Sequence, residues 1–154
     1  MPGRSGISCF RLRAVGAALA ALCLAFDAGA ADIGQIKGAK GQVTVERQGL
    51  ATPAQVGTRL QEADVVRTGP DGSVGITMGD DSLLSAGPNT VLALDRYAFD
   101  PTTQRGRFET SLNKGTLAVT SGRIAKQSPD AMSVRTPAAV LGVRGTEFVV
   151  STDD

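Results

Sequence analysis

The chain contains 154 residues, with 16 lysines and arginines against 15 aspartates and glutamates, so its formal net charge is +1. A chain this close to neutral, with one tyrosine and no tryptophan, has neither the basic surface nor the stacking side chains that nucleic-acid binding requires. It has no histidine, which excludes histidine-based catalytic triads and removes the usual zinc and copper ligand. Neither a phosphate-binding loop nor a nucleophile-elbow motif occurs, and we expect no enzyme activity, no cofactor and no metal.

The first thirty residues have the pattern of a secretory signal peptide. Basic side chains precede an apolar run at residues 14–26, and the small residues Ala28, Gly29 and Ala30 follow it. The apolar run is shorter than the ~20 residues that span a bilayer, although an uncleaved anchor is the alternative interpretation. We therefore predict a signal peptide at residues 1–30, cleavage before Ala31, and a periplasmic or exported protein.

Cleavage at this position would remove both cysteines. Cys9 and Cys23 lie in the predicted signal, so residues 31–154 would fold without a disulfide even in an oxidising compartment. Leu22 precedes Cys23 where a lipoprotein signal would have a small residue, which argues against lipidation. The remaining length of 124 residues (154 − 30) fits one domain held together by its core alone.

Alternation of apolar and polar residues between glycine, proline and aspartate turns predicts an all-β domain. Turn signals recur about every ten residues, as in sandwiches, barrels and rolls. We predict a single domain of about ten short, mainly antiparallel strands in a sandwich or roll, with a β-solenoid as the alternative. The predicted strands are 42–47, about 54–60, 64–68, 74–78, a run starting at 83, 90–94, 106–112, 115–120, 132–136 and two runs within 136–150. Residues 31–40, 95–104 and 122–130 are predicted to be a leader, a long loop and a connector.

An ordered series of motifs resembles FecR-like domains, a family of bacterial envelope domains. The strongest is TPAAVLGVRGTEFVV at residues 136–150, and the resemblance covers roughly residues 36–150 within a predicted domain of 31–154. Ala63 and Asp81 stand where the family usually has glycine. The other matching segments are GQVTV at 41–45, VGTRL at 56–60, DVVRTG at 64–69, GDDS at 79–82, GPNT at 87–90 and KGTL at 114–117.

The resemblance implies a non-catalytic envelope domain. In signalling members a periplasmic domain senses an outer-membrane receptor and a cytoplasmic segment controls a sigma factor. Because a predicted signal peptide stands in front of this domain, we expect the chain not to carry such a segment. We therefore expect a protein-binding or scaffolding module with an envelope protein as its partner, and the alternative is a cell-wall or polysaccharide-binding module. Family members continue beyond the last matching strand, so either the domain closes early here or the sequence is a fragment. If a strand is missing, we expect residues 146–151 to present an unpaired edge that allows self-association.

Candidate binding residues lie in two places. Arg144 presents a planar donor fork to a partner's carboxylate or a glycan acid, or else pairs internally with Glu147 or Asp64 while Gly145 forms a bulge and Thr146 closes the corner. Tyr97 and Phe99 are either partner anchors on a loop or caps at the end of the core.

The acidic residues offer a weaker alternative. A catalytic acid and base could come from the aspartates and glutamates at turns and strand ends, and Asp80 with Asp81 could hold calcium. Turn-forming roles explain these positions better, because aspartate satisfies backbone donors at turns. The residues concerned are Asp64, Asp80, Asp81, Glu109 and Glu147.

Overall fold

The computed structural model describes residues 29–144 and 147–153. The predicted signal peptide, apart from Gly29 and Ala30, lies outside these residues, as do Gly145 and Thr146. The strands are β1 (Asp32–Lys40), β2 (Val43–Arg47), β3 (Leu50–Pro53), β4 (Arg59–Gln61), β5 (Val65–Thr68), β6 (Ser73–Met78), β7 (Leu83–Ala86), β8 (Val91–Phe99), β9 (Gly106–Thr120), β10 (Met132–Arg135), β11 (Val140–Gly142) and β12 (Glu147–Thr152). A short helix, α1 (Arg123–Gln127), and a 3-10 turn (Pro129–Ala131) follow β9.

Strand β9 organises the sheet because it pairs with four other strands. Its first half lies between β8 and β10, and its second half lies between β7 and β12. The main path runs β3-β2-β5-β8-β9-β7-β6-β1-β4, and β11 pairs with β10. Every pairing is antiparallel except that of β9 with β10. The prediction of a single, mainly antiparallel all-β domain is confirmed, and the solenoid alternative is wrong.

The core lies inside the curl of this sheet, where the apolar face of each strand meets the others. Alternate residues of β6 are buried, namely Val74, Ile76 and Met78, as the sequence pattern predicted. On β9 the same alternation buries Phe108 and Leu112 completely. Each such side chain contributes about 1.5–3 kcal/mol on burial, so the core is a main source of the stability of this domain.

Three predicted irregular segments are regular in the structure. Residues 31–40 form the nine-residue strand β1, in which Ile33 and Ile36 are buried. The predicted loop 95–104 is wrong because β8 continues to Phe99. The predicted connector 122–130 contains helix α1. Of the strand predicted at about 54–60, only Arg59 and Leu60 lie in a strand, β4, and β3 ends just before it at Pro53.

The two strands predicted at 106–112 and 115–120 are one strand, β9. Its register against β8 shifts between Lys114 and Leu112, and Gly115 has a φ of +93°. A Cβ on Gly115 would lie 2.3 Å from the Thr90 hydroxyl, so glycine allows the strand to bulge there without stopping.

Ala63 and Asp81 are two of five described non-glycine residues with left-handed backbone. Ala63 has a φ of +69° and Asp81 a φ of +65°. These are the positions at which the sequence departs from the glycine usual in FecR-like domains. The backbone therefore keeps the conformation that glycine would favour, at a steric cost that is larger for alanine than for aspartate.

Candidate functional site at the open edge of the sheet

The carboxylate of Asp80 is fully buried and satisfies donors from three parts of the chain. Its Oδ1 accepts from the Ser82 backbone N–H at 3.2 Å and from the Tyr97 hydroxyl at 3.3 Å. Its Oδ2 accepts from the Ser82 hydroxyl at 2.8 Å and from the Ile124 backbone N–H in α1 at 3.2 Å. Asp80 thus joins the β6–β7 turn to β8 and α1, which is a structural role.

Asp64 is the second fully buried carboxylate, and an arginine neutralises it. Arg47 donates from Nε to Oδ1 at 2.8 Å and from Nη2 to Oδ2 at 2.7 Å, in the two-bond geometry that arginine and carboxylate favour. The Gln61 backbone N–H donates to Oδ2 at 2.8 Å. The hydrogen bond to Asp64 raises the pKa of Arg47, which favours the charged guanidinium.

Tyr97 and Phe99 belong to β8 and not to a loop. Tyr97 is 8% exposed, and its ring meets that of Phe108 edge-to-face with centroids 5.4 Å apart. Burial, followed by the nearby Asp80 carboxylate, raises the pKa of Tyr97. Phe99 is half-buried under the guanidinium of Arg123 at 5.7 Å. The structure thus places both aromatic residues at the end of the core, the second of the two roles considered.

Arg144 lies on the surface directly after β11. Its side chain is 76% exposed, and Nη2 donates to Oδ1 of Asp130 at 3.1 Å. The structure therefore pairs it with Asp130, and not with Glu147 or Asp64. An ion pair this exposed contributes little to stability, roughly 0–1 kcal/mol, so the guanidinium can exchange Asp130 for another acid at low cost.

The remaining acidic candidates do not converge. Asp81 pairs with Arg123, Glu109 with Arg107, and Glu147 is exposed at the start of β12. Among the described residues, no group of three metal-ligating side chains is close enough to hold an ion. The arrangement therefore gives no support to acid–base catalysis or to calcium binding at these positions.

Strand β12 has a neighbour on one side only among the described residues. It pairs with β9 through the register Ser151 to Thr116 and Val149 to Ala118. The carbonyl of Thr116 accepts from Gly87 on the opposite side, so Thr116 and Ser151 are a pair without mutual backbone hydrogen bonds. Consistent with the close side-chain approach in such pairs, their hydroxyls lie 3.0 Å apart.

This register determines which backbone groups of β12 point outward. Because direction alternates along a strand, Ser151, Val149 and Glu147 direct N–H and C=O away from β9, while Phe148 and Val150 bond to it. The outward residues are also the ones with exposed side chains, and Val149 is 66% exposed. The edge of β12 is therefore a row of donors and acceptors beside an exposed valine.

A groove of about 310 Å³, lined in nearly equal parts by polar and apolar groups, lies alongside this edge. Leu141 and Val143, from β11 and its end, form one wall, and Phe148 and Val150 of β12 form the other. Arg144 and Glu147 contribute its charged groups. We call the groove together with the outward face of β12 the open edge. Sequence reasoning anticipated an unpaired strand here but not the wall supplied by β11.

A second groove, of about 380 Å³, lies by the β2–β3 hairpin. Arg47 and Arg59 line it together with polar side chains and the exposed Leu50. Both arginines already have acidic partners, Asp64 and Asp32. Their charge is therefore largely compensated within the chain.

Comparisons with known proteins bear on the family alone. No helix in the described part of the chain is long and apolar enough to cross a membrane. Searches of the curated proteins and of the solved structures returned no match. The family model described as FecR protein matches residues 64–154, which is 91 of the 154 residues and includes Asp64, Asp80, β9 and the open edge. The chain therefore belongs to the FecR protein family.

Proposed function

We propose that this protein is a non-catalytic, exported FecR-domain module that binds an extended segment of another envelope protein along its open edge. The observation that carries the proposal is the outward-pointing backbone of β12, which has no partner among the described residues and lies beside a groove lined by both apolar and charged side chains. A sheet edge of this kind binds an extended peptide by main-chain hydrogen bonds, and a neighbouring groove selects its side chains. Arg144, beside the groove, would then select an acidic residue in the partner.

Polysaccharide binding is the second candidate, because the groove at Arg47 and Arg59 contains polar groups suited to an acidic sugar. Sugar-binding sites usually also present an exposed aromatic ring. Among the described residues the aromatic side chains are buried or half-buried, namely Tyr97, Phe99, Phe108 and Phe148. Protein binding at the open edge therefore fits the described surface better than glycan binding.

Affinity capture from an envelope extract tests the proposal with a matched pair of variants. In Val149→Pro the outward N–H is lost while the β9 ladder is left intact, since that N–H takes no part in pairing with β9. Val149→Thr keeps the N–H and the β-branched shape, and serves as the control. We expect one envelope protein to be captured by the wild type and the threonine variant and lost with the proline variant.

The opposite result is also well defined. Capture of wall glycan alone, unchanged by Val149→Pro but lost in Arg59→Ala, would support the second candidate and contradict the first. Digestion of cell wall by the purified protein would contradict the non-catalytic assignment.

A further inference from the structure

The open edge has a geometry that allows it to pair with itself. The other edge strands are less suited to this, because β4 and β11 have three residues each and β3 has four and ends in Pro53. Strand β12 has six residues and contains no proline, lysine or arginine, the residues that usually protect an edge.

We propose that two copies of this chain form a symmetric dimer in which their β12 strands pair antiparallel across the open edge, with Val149 of each copy at the two-fold axis. The inference rests on the same edge as the proposed function but not on the existence of another partner. A closed two-fold contact uses the same surface on both copies, so the β12 edge is used up in the dimer and does not extend it into a fibre.

The backbone restricts the registers that are available. Residues directly opposite in an antiparallel pair point to the same face, and only Glu147, Val149 and Ser151 direct backbone groups outward. Outward residues must therefore face outward residues of the second copy. A two-fold axis at Val149 satisfies this condition and allows about six hydrogen bonds, two for each opposed pair.

Charge and side-chain packing select among the allowed registers. With the axis at Val149, Glu147 lies opposite Ser151 of the second copy, and Phe148 lies opposite Val150, an aromatic and β-branched pair that stabilises sheets. An axis at Val150 would instead place Glu147 opposite Asp153 twice, and like charges directly opposite destabilise a pair. An axis at Phe148 also avoids opposed acids, but it opposes only Glu147 and Val149 among the outward residues of β12. The axis at Val149 is thus the register that opposes all three outward residues without opposing acids.

Self-pairing would regulate the proposed partner binding, because both use the same backbone groups. The dimer keeps the β12 edge covered when no partner is present. A partner segment then has to compete with the second copy, and its apparent affinity falls as the concentration of the chain rises.

Charge substitution at Val149 tests this register directly. In Val149→Lys, two ammonium groups face each other across the axis, and in Val149→Glu two carboxylates do so. We expect each variant to dimerise at least roughly tenfold more weakly than the wild type, and an equimolar mixture of the two to recover a dimer because opposite charges then face each other. Sedimentation velocity across the micromolar range measures all of these states in the purified protein.

The matched control is Val56→Lys, since Val56 is 64% exposed and Val149 66% but Val56 lies outside the open edge. It should dimerise like the wild type. A wild type that stays monomeric throughout, or a Val149→Lys variant that dimerises normally, overturns the proposal. A lysine and glutamate mixture that remains monomeric overturns the axis at Val149. A monomeric wild type that still captures a partner through β12 would separate the two proposals, because only the dimer would then fail.

Discussion

The turns at Asp64 and Asp80 differ from the open edge in how completely their polar groups are satisfied. Both aspartates are fully buried, and their carboxylates receive donors from residues distant in sequence. At β12, by contrast, Glu147, Val149 and Ser151 direct backbone groups where the described chain supplies no partner. The first arrangement fixes the fold, whereas the second leaves binding capacity unused. Acidic residues attract attention in a sequence, but in this chain the backbone of an uncharged strand is the better candidate for function.

The largest effect should come from Asp80→Asn, which keeps the shape of the side chain. Each carboxylate oxygen accepts one backbone N–H, from Ser82 on Oδ1 and from Ile124 on Oδ2. In either orientation of the asparagine amide, its NH₂ group faces one of these backbone N–H groups, so two donors oppose each other. A hydroxyl donor could rotate away from the NH₂ group, but a backbone N–H cannot. We expect a loss of about 3 kcal/mol in the free energy of unfolding.

Urea denaturation followed by far-UV circular dichroism measures this loss. Asp81→Asn is the control, because Asp81 is exposed and asparagine tolerates the left-handed backbone there. It should change stability by less than about 0.5 kcal/mol. Equal effects at the two positions would contradict the structural role assigned to Asp80.

Arg47→Met should have the next largest effect, because it leaves the buried Asp64 carboxylate with one backbone donor, from Gln61. We expect a loss of about 2 kcal/mol, less than for a fully buried pair because Arg47 is 42% exposed and its charge is screened by solvent. Arg47→Lys keeps the charge but not the two-bond geometry, so its stability should lie between those of the wild type and the methionine variant. The midpoint of urea unfolding orders the three proteins, and a methionine variant as stable as the wild type would show that the pair contributes nothing.

The alternation of apolar and polar residues in the sequence predicts a strand well where that alternation is uninterrupted. Strand β6 alternates without interruption and was predicted within one residue at its start. Strand β8 was predicted to end at residue 94, before a predicted loop. In the structure Asp95 and Arg96 are exposed in succession, and the register against β9 shifts there. A bulge interrupts the period of two, so a continuing strand resembles a loop in the sequence.

Strand β1 was missed for a different reason. Its glycines weaken the strand signal, but at Gly34 a Cβ would lie 2.9 Å from the Met78 sulfur, so glycine allows β1 and β6 to approach closely. Of the site, the sequence indicated an edge strand near residues 146–151. It could not indicate the outward groups, which depend on the register with β9, or the pairing of Arg47 with Asp64, which are 17 residues apart.

Tyr97, which donates to Asp80, should make the stability of the folded protein sensitive to high pH. A raised pKa in the folded state means that the neutral phenol is favoured there, so the stability is fully present below the unfolded pKa of about 10 and declines as pH rises above it. We expect about 1 kcal/mol to be lost between pH 10 and 11 if the folded phenol remains protonated.

Tyr97→Phe provides the comparison, because it removes the titrating group while keeping the ring against Phe108. Its stability should decline less over the same interval. Tyr97 is the single tyrosine of the chain and there is no tryptophan, so tyrosinate absorbance follows this residue alone. A folded protein whose tyrosine titrates at the same pH as the urea-unfolded chain would contradict the prediction.

The smallest effect should be a gain, from Ala63→Gly. Alanine pays a steric cost in the left-handed conformation, about 1–2 kcal/mol, which glycine avoids. Glycine in turn loses more conformational entropy on folding, about 0.5–1 kcal/mol, so the net stabilisation should be about 0.5 kcal/mol. Ala63 is exposed, and its backbone N–H still donates to Leu94, so the substitution removes little else.

Asp81→Gly sharpens this comparison because Asp81 has nearly the same φ but a side chain that pairs with Arg123. Aspartate also tolerates the left-handed region better than alanine does, so glycine has less strain to relieve there. We expect the gain at position 63 to exceed any gain at position 81, measured as the difference in urea midpoint from the wild type. The reverse order would mean that backbone strain is not what distinguishes these two turns.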